Sequence, residues 1–263
     1  MSVTSHTSGY RPPNDVSMAE LFPNHDGLRP AAVDQLASRT IALHWTGGGI
    51  STLAFALDTV DIVTTTPGDW TFLDGTLEVE AFPVGQGLIG AVIADPRVQS
   101  SYFAVIGADH AVVVHTRMAS GPTGAAEETR VLQAGVDRPA ESELPLSSDL
   151  VGKRVYWRYS DTHTFEHLYL EPNRYCWHGL TGPEAGMGGV EPTSAYKIAD
   201  NLYLFTWSDT SVAFNGTIVI DTTNDEITSK GRLFGWEAAE NIGKQIIVGA
   251  TGRVLNTTDH SDL

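Results

Sequence analysis

LASRTIALHWTGGGISTLAFALDTVDIV, residues Leu36 to Val63, has an ungapped counterpart in LVGKRVYWRYSDTHTFEHLYLEPNRYCW, residues Leu150 to Trp177, at a constant offset of 150 − 36 = 114. In that register Leu36 meets Leu150, Arg39 meets Lys153, Ile41 meets Val155, Trp45 meets Tyr159 and Phe55 meets Tyr169. A second match sets SYFAVIGADHAVVV (Ser101 to Val114) against LYLFTWSDTSVAFN (Leu202 to Asn215) at 202 − 101 = 101, which implies an insertion between the halves. A repeat of about a hundred residues is domain-sized and far longer than a solenoid unit, so the pattern predicts two related β modules arisen by internal duplication.

Working outward from the repeat, apolar and polar residues alternate in short runs separated by Gly, Pro and Asp, the pattern of an up-and-down antiparallel meander. The first half predicts two strands around Thr46-Gly47-Gly48-Gly49, then strands at Trp70–Phe72, Leu77–Phe82, Leu88–Ile93, Tyr102–Ile106 and Ala111–Thr116. The triple glycine is expected to be a hairpin turn, because no helix and no Walker lysine follow it. The second half predicts strands near Arg154–Tyr159, Thr164–Leu170, Arg174–Gly179, Ala195–Ile198, Leu202–Trp207, Ser211–Ile220, Glu226–Phe234 and Gln245–Ala250. The expected boundaries are an irregular arm over 1–34, with a helical turn at Met18–Phe22, a first barrel over 35–118 and a linker over 119–148. A second barrel over 149–255 and a tail over 256–263 follow. Ala119 to Ser148 is acidic and rich in Pro, Ala and Ser, hence the linker, with a short helix at Ala125–Ala134.

Composition bounds the function. The 263 residues, 41% apolar and 9% aromatic, suffice for a core in each half. Thirty-two acidic residues against sixteen basic ones give a formal charge of −16, which repels phosphate backbones and anionic membrane surfaces, so neither nucleic acid nor membrane is an expected partner. No apolar run approaches the roughly 20 residues that span a bilayer, and MSVTSHTSGYRPPND lacks the charged and apolar regions of a signal peptide. The single cysteine, Cys176, fits a reducing compartment and excludes an internal disulfide. The expected location is the cytoplasm, and the duplication leaves room for assembly into a homo-oligomer.

Side chains of a strand alternate faces, so Val155, Trp157 and Tyr159 share one face, Phe165, His167 and Tyr169 another, and Tyr203, Phe205, Trp207 and Asp209 a third. Each is a ladder of aromatics ending in, or carrying, a polar group. A sheet closed into a barrel of about eight strands has an interior wide enough for side chains or one small ligand.

RVYWRYSDTHTFEHLYLEPNRYCWHGLTGPE, LYLFTWSD and KGRLFGW (Lys230 to Trp236) resemble the MoaF family. The likeness rests on Phe165-Glu166-His167-Leu168-Tyr169, on Trp177 ahead of the turn Gly182-Pro183-Glu184, and on Lys197-Ile198 leading to Leu202-Tyr203-Leu204-Phe205-Thr206-Trp207. It implies lipocalin-like (calycin) barrels and assigns no mechanism. More distantly, the same half is similar to phenolic acid decarboxylases, lipocalin-like barrels that act without a cofactor. Carried over position by position, the second tyrosine of their Tyr-x-Tyr strand falls on Tyr159 and the first becomes Trp157. Their arginine falls on His178, and the glutamate of their Trp-Thr-Glu turn falls on Asp209. Loss of the arginine removes the bidentate carboxylate clamp, so cinnamate decarboxylation is not expected, although groups for proton transfer persist.

The resulting expectation is an all-β chain of two lipocalin-like barrels whose second barrel holds the site. The favoured function is that of a cofactor-independent lyase or isomerase acting on a small aromatic or conjugated molecule. Tyr159, His178, Asp209 and His167 would be catalytic: a histidine near neutral pH as base, Asp209 or Glu166 orienting it, Tyr159 donating to a developing oxyanion. Trp157, Tyr169, Trp177, Tyr203, Phe205, Trp207 and Glu184 would contact substrate, and Gly186–Gly189 would form a lid. In the first half Trp45 stands opposite Tyr159, Thr64 opposite His178 and Ala108 opposite Asp209, which offers no equivalent site. No metal or cofactor site is expected; His163 and His167 would lie about 13 Å apart along a strand. The same aromatic interior equally suits a non-catalytic small-molecule carrier.

Overall fold

The computed structural model describes residues 28–68, 72–121, 124–237 and 240–259. Among them the chain forms two closed eight-stranded antiparallel barrels, each an up-and-down meander. The first comprises β1 (Thr40–Trp45), β2 (Ile50–Phe55), β3 (Thr59–Thr66), β4 (Gly75–Gly85), β5 (Leu88–Asp95), β6 (Ser100–Ile106), β7 (His110–Gly121) and β8 (Gly124–Val136). The second comprises β9 (Lys153–Arg158), β10 (Thr164–Glu171), β11 (Arg174–Thr181), β12 (Gly188–Ala199), β13 (Leu202–Ser208), β14 (Phe214–Asp221), β15 (Ile227–Glu237) and β16 (Ile242–Thr257). Closure is made by β1 on β8, with Leu43 opposite Val136 and Trp45 opposite Ala134, and by β9 on β16, with Trp157 opposite Gly252. Among the described residues no helix is long and apolar enough to cross a membrane.

The alternation seen in the sequence is the inside-outside pattern of the walls. Ile41, Leu43 and Trp45 of β1 enter the first core, as do Leu132, Ala134 and Val136 of β8. Val155 and Trp157 of β9 enter the second, with Tyr203, Phe205 and Trp207 of β13. Gly48 and Gly49 take φ of 90° and 93° in the β1–β2 hairpin, the turn expected of the triple glycine. The helical turn expected at Met18–Phe22 and most of the 1–34 arm lie outside the described residues, as does most of the strand expected at Trp70–Phe72.

The segment bounds and the repeat register are both corrected. The stretch expected to be a linker carrying a helix is strand instead: residues 119–121 complete β7 and residues 124–136 form β8. An eight-stranded wall cannot close without that strand, and the period-two run Leu132, Ala134, Val136 supplies its inner face despite the acidic composition around it. The connection begins only after Val136, where Gln133 clamps it by accepting from the Leu144 amide (2.6 Å) and donating to the Leu144 carbonyl (3.0 Å). The presumed tail is also partly strand, since Asn256 and Thr257 pair with Arg154 and Lys153.

The second correction concerns register. Strand for strand, β5 and β13 begin at 202 − 88 = 114, and β6 and β14 at 214 − 100 = 114, so the first offset holds through six strands. The match at 101 aligned β6 with β13, one strand out of step, and the insertion it implied is absent there.

The chain divides into two compact units. One holds residues 31–117 and 129–144; the other holds 145–263 together with 118–128, the tip of the β7–β8 hairpin. Within the second unit the outward-facing residues of β13 to β15 form a buried polar cluster. Arg232 donates to the Asn215 side-chain oxygen (2.6 Å), Thr206 and Thr217 share a hydrogen bond (2.9 Å), and Ser208 donates to Glu127 of the hairpin tip (2.7 Å).

Candidate functional site

The interior of the second barrel is not filled to its end. A cavity of about 70 Å³ is lined by Tyr159, Phe165, His167, Tyr175, Trp177, Glu184, Trp207, Asp209, Val212, Phe214 and Leu233. Its aromatic members come from the inner faces of β10, β11, β13 and β14 and from Tyr159 just past β9. They touch in sequence round the wall: Tyr159 edge-on to Phe165 (5.7 Å between ring centroids), Phe165 to Trp177 (6.2 Å), Tyr175 to Trp207 (5.7 Å) and Trp207 to Phe214 (6.4 Å).

Two carboxyl groups reach this aromatic chamber from separate loops. Glu184 is carried by the turn between β11 and β12, where Ala185 donates to the Gly182 carbonyl and Gly186 to the Gly179 carbonyl. That turn depends on glycine. Gly182 sits at φ 95° against the His163 ring, and a Cβ on Gly179 would lie 2.1 Å from the Glu184 carbonyl oxygen. Asp209 follows β13 and closes the loop to β14, accepting from the Ser211 amide (2.6 Å) and the Val212 amide (3.0 Å). It is thus both the polar corner of a hairpin and a wall of the cavity.

Burial sets the protonation of these groups. Glu184 is pushed up to about 7, mainly by loss of water and then by the Asp209 charge, and its Oε2 is buried without a hydrogen-bond partner. Asp209 is pushed up to about 6 by burial and by Glu191, against the two amides that stabilise its anion. His167, 3% exposed, is pushed down to about 3 by burial, so it is neutral, and its Nδ1 has no hydrogen-bond partner. Burial, and then the nearby Glu184 carboxyl, raise the Tyr159 hydroxyl well above its ordinary value; Tyr175 is raised likewise, first by burial. None of the lining residues is Lys or Arg.

Of the residues expected at the site, Tyr159, His167, Trp177, Glu184, Trp207 and Asp209 meet at this cavity. His178 does not. It is exposed on the outer face of β11, because its neighbour Trp177 points inward and adjacent strand residues face opposite sides. Glu166 also faces outward and pairs with Arg154 (2.6 Å), so neither it nor a histidine base forms the expected couple. Trp157, Tyr169 and Phe205 belong to the packed core and do not line the cavity, and Tyr203 donates to Asp149 (3.0 Å). Gly188 and Gly189 are part of β12, opposite His178 and Trp177, so the expected lid contracts to the turn bearing Glu184.

Phe165, Tyr175, Val212, Phe214 and Leu233 line the cavity in addition to the residues expected there, and parity with His167 and Trp177 places Phe165 and Tyr175 inside. Glu191, 1% exposed, was missed. Its carboxylate accepts from the Trp177 indole (3.3 Å) and from the Thr210 amide (2.7 Å), tying the aromatic wall to the loop that carries Asp209. Among the described residues no three His, Cys, Asp or Glu side chains converge as a metal site.

Residues 144–258 match the family model described as the MoaF C-terminal domain. A curated relative from Klebsiella aerogenes, Protein MoaF, is 31% identical over 138 residues, covering 52% of each chain. The chain therefore spans about half the length of the curated relative it matches. A crystal structure from Burkholderia vietnamiensis, provisionally named a beta-lactamase, is 20% identical and covers 43% of this chain and all of its own, with a TM-score of 0.34.

Proposed function

From a chain that belongs to the MoaF family through residues 144–258, we propose that the second barrel binds a small aromatic or conjugated molecule and moves a proton on it, as a cofactor-independent lyase or isomerase. The observation that carries the reading is the meeting of Glu184 and Asp209 in one aromatic cavity, their ionisation raised to about 7 and about 6. Near neutral pH such a pair holds roughly one proton between two sites, the state needed for one group to accept while the other donates. Asp209, the more acidic, takes a proton from a substrate carbon or oxygen. Glu184 returns one to a neighbouring atom in an isomerisation, or to the departing group in an elimination. Tyr159 stays a neutral hydroxyl beside Glu184 and can donate to an oxygen on which charge develops. His167 is too weak a base for the proton step and serves to hold a polar substituent.

The rival is a non-catalytic binding protein, favoured by the large share of the lining that is aromatic and does not titrate near neutrality. The test is ligand-observed NMR of the full chain with phenols, enones, aryl amines and dihydroxyaromatics, followed for hours. Conversion of a bound compound, lost in Glu184→Gln and Asp209→Asn and reduced in Tyr159→Phe, supports the enzyme. Binding without conversion supports the carrier.

A further inference from the structure

We infer that the cavity takes a small organic cation, a protonated amine carried on a flat apolar body. The inference rests on the site proposed above and names its ligand class. The rings of Tyr159, Phe165, Tyr175, Trp177, Trp207 and Phe214 surround the cavity, and aromatic faces attract a cation by their quadrupole. Glu184 and Asp209 face the same space, and no Lys or Arg lines it. Arginines of the same barrel have partners outside the cavity: Arg154 pairs with Glu166, Arg158 with Asp161, and Arg232 donates to the Asn215 side-chain and backbone oxygens.

A carboxylate ligand would meet two acids and no counter-charge, at a steep desolvation cost. A neutral ligand would add no charge to offset the pair. An ammonium group brings three donors and one positive charge, which satisfies the buried, unpartnered Glu184 Oε2 and leaves a singly protonated pair plus ligand electrically neutral. The buried, neutral His167 lines the same cavity and keeps an Nδ1 without a hydrogen-bond partner.

The test uses three probes of nearly equal size, benzylamine, benzyl alcohol and benzoate, titrated against the full chain while following tryptophan fluorescence, to which Trp177 and Trp207 contribute. Benzylamine stays protonated between pH 5 and 8. The expected result at pH 8 is benzylamine bound at least ten-fold more tightly than benzyl alcohol, with benzoate not bound. That advantage should shrink as the pH falls to 5 and the carboxyl pair takes up protons, and it should vanish in a Glu184→Gln, Asp209→Asn double variant that still binds benzyl alcohol. The Asn amide keeps the one oxygen through which Asp209 caps its loop, and the Glu184 turn is held by backbone hydrogen bonds, so retained alcohol binding reports an intact cavity. Benzyl alcohol binding as tightly as benzylamine, or an ammonium preference that survives the double variant, overturns the inference while leaving a small aromatic ligand in place. Failure of all three probes to bind counts against both.

Discussion

Asp95 and Asp209 occupy the same place in the two barrels. Each lies two residues past an inward pair formed by the fifth and sixth strands of its barrel, Ile93 opposite Tyr102 in one and Trp207 opposite Gly216 in the other. Asp95 is fully buried and locked to Arg97, which donates to both of its oxygens at 2.8 Å. Around it Trp45, Phe72 and Tyr102 pack ring against ring, Trp45 holding the position of Tyr159. Asp209 lacks that arginine, and where Tyr102 fills the first barrel the second has Gly216. One duplicated position is thus sealed by an ion pair and a tyrosine, while the other opens into a cavity.

Gly216 is where that difference can be tested. A Cβ there would lie 2.0 Å from the Trp207 ring. Gly216→Ala should destabilise the protein by about 1–3 kcal/mol through overpacking and push Trp207 into the cavity. Thermal unfolding together with ligand titration checks both effects.

The raised ionisation of Glu184 predicts a signed pH effect on stability. Its folded-state pKa, about 7, lies above the ordinary carboxylate value, so ionising it costs the folded state. The cost is absent below about pH 4, grows as pH rises, and is complete above about 7. Glu184→Gln should therefore stabilise the empty protein by about 1–3 kcal/mol at pH 8 and not at pH 4. Denaturant unfolding at the two pH values measures it.

Activity should follow the same pair. With limbs near 6 and 7 from Asp209 and Glu184, kcat/KM for a converted substrate should trace a narrow bell with its maximum between them. Asp209→Asn should abolish the acidic limb along with most of the rate, by about 100-fold or more.

Glu191 positions the wall without lining the cavity. Removing its carboxylate in Glu191→Ala frees the Trp177 indole and the Thr210 amide, at a cost of about 1–3 kcal/mol for the buried donors left unpaired. Ligand affinity should weaken by about ten-fold, and Glu191→Gln, whose one carbonyl oxygen can accept from only one of the two donors, should recover part of it.

On the outer face of β15, Arg232 is fully buried and pushed down to about 9 by loss of water, with Glu127 opposing that shift. Glu127→Ala should cost about 3–5 kcal/mol because it removes the carboxylate from beside a buried guanidinium. Replacing both, as Glu127→Leu with Arg232→Met, should cost much less than Glu127→Ala alone. Chemical denaturation of the two variants tests the coupling.

Much of the architecture was legible because closed barrels write their inside and outside as alternation. The 114-residue offset led to two modules, while Tyr159 and Asp209 came from the likeness to phenolic acid decarboxylases carried over position by position. The linker error arose where composition outweighed periodicity: Leu132, Ala134 and Val136 alternate inward amid acidic and small residues. His178 came from positional likeness, although Trp177 and His178 cannot both face inward on one strand. Glu191 and the pairing of Glu184 with Asp209 depend on which turns meet across the barrel mouth, and residues far apart in the chain carry no local sign of that. The match at 101 hid the equivalence of Asp95 and Asp209, since Ala108 took Asp95's place in the misaligned register.

The most direct test of the proton-transfer account is deuterium uptake from D₂O into a compound bound by the full chain, followed by NMR with and without Asp209→Asn. The account predicts time-dependent deuterium at one substrate carbon, or a product formed by elimination, at a rate that falls by about 100-fold or more in Asp209→Asn. A ligand that occupies the cavity, loses affinity in Trp177→Ala and yet neither exchanges nor converts over days would contradict it, and would leave the second barrel a binding protein.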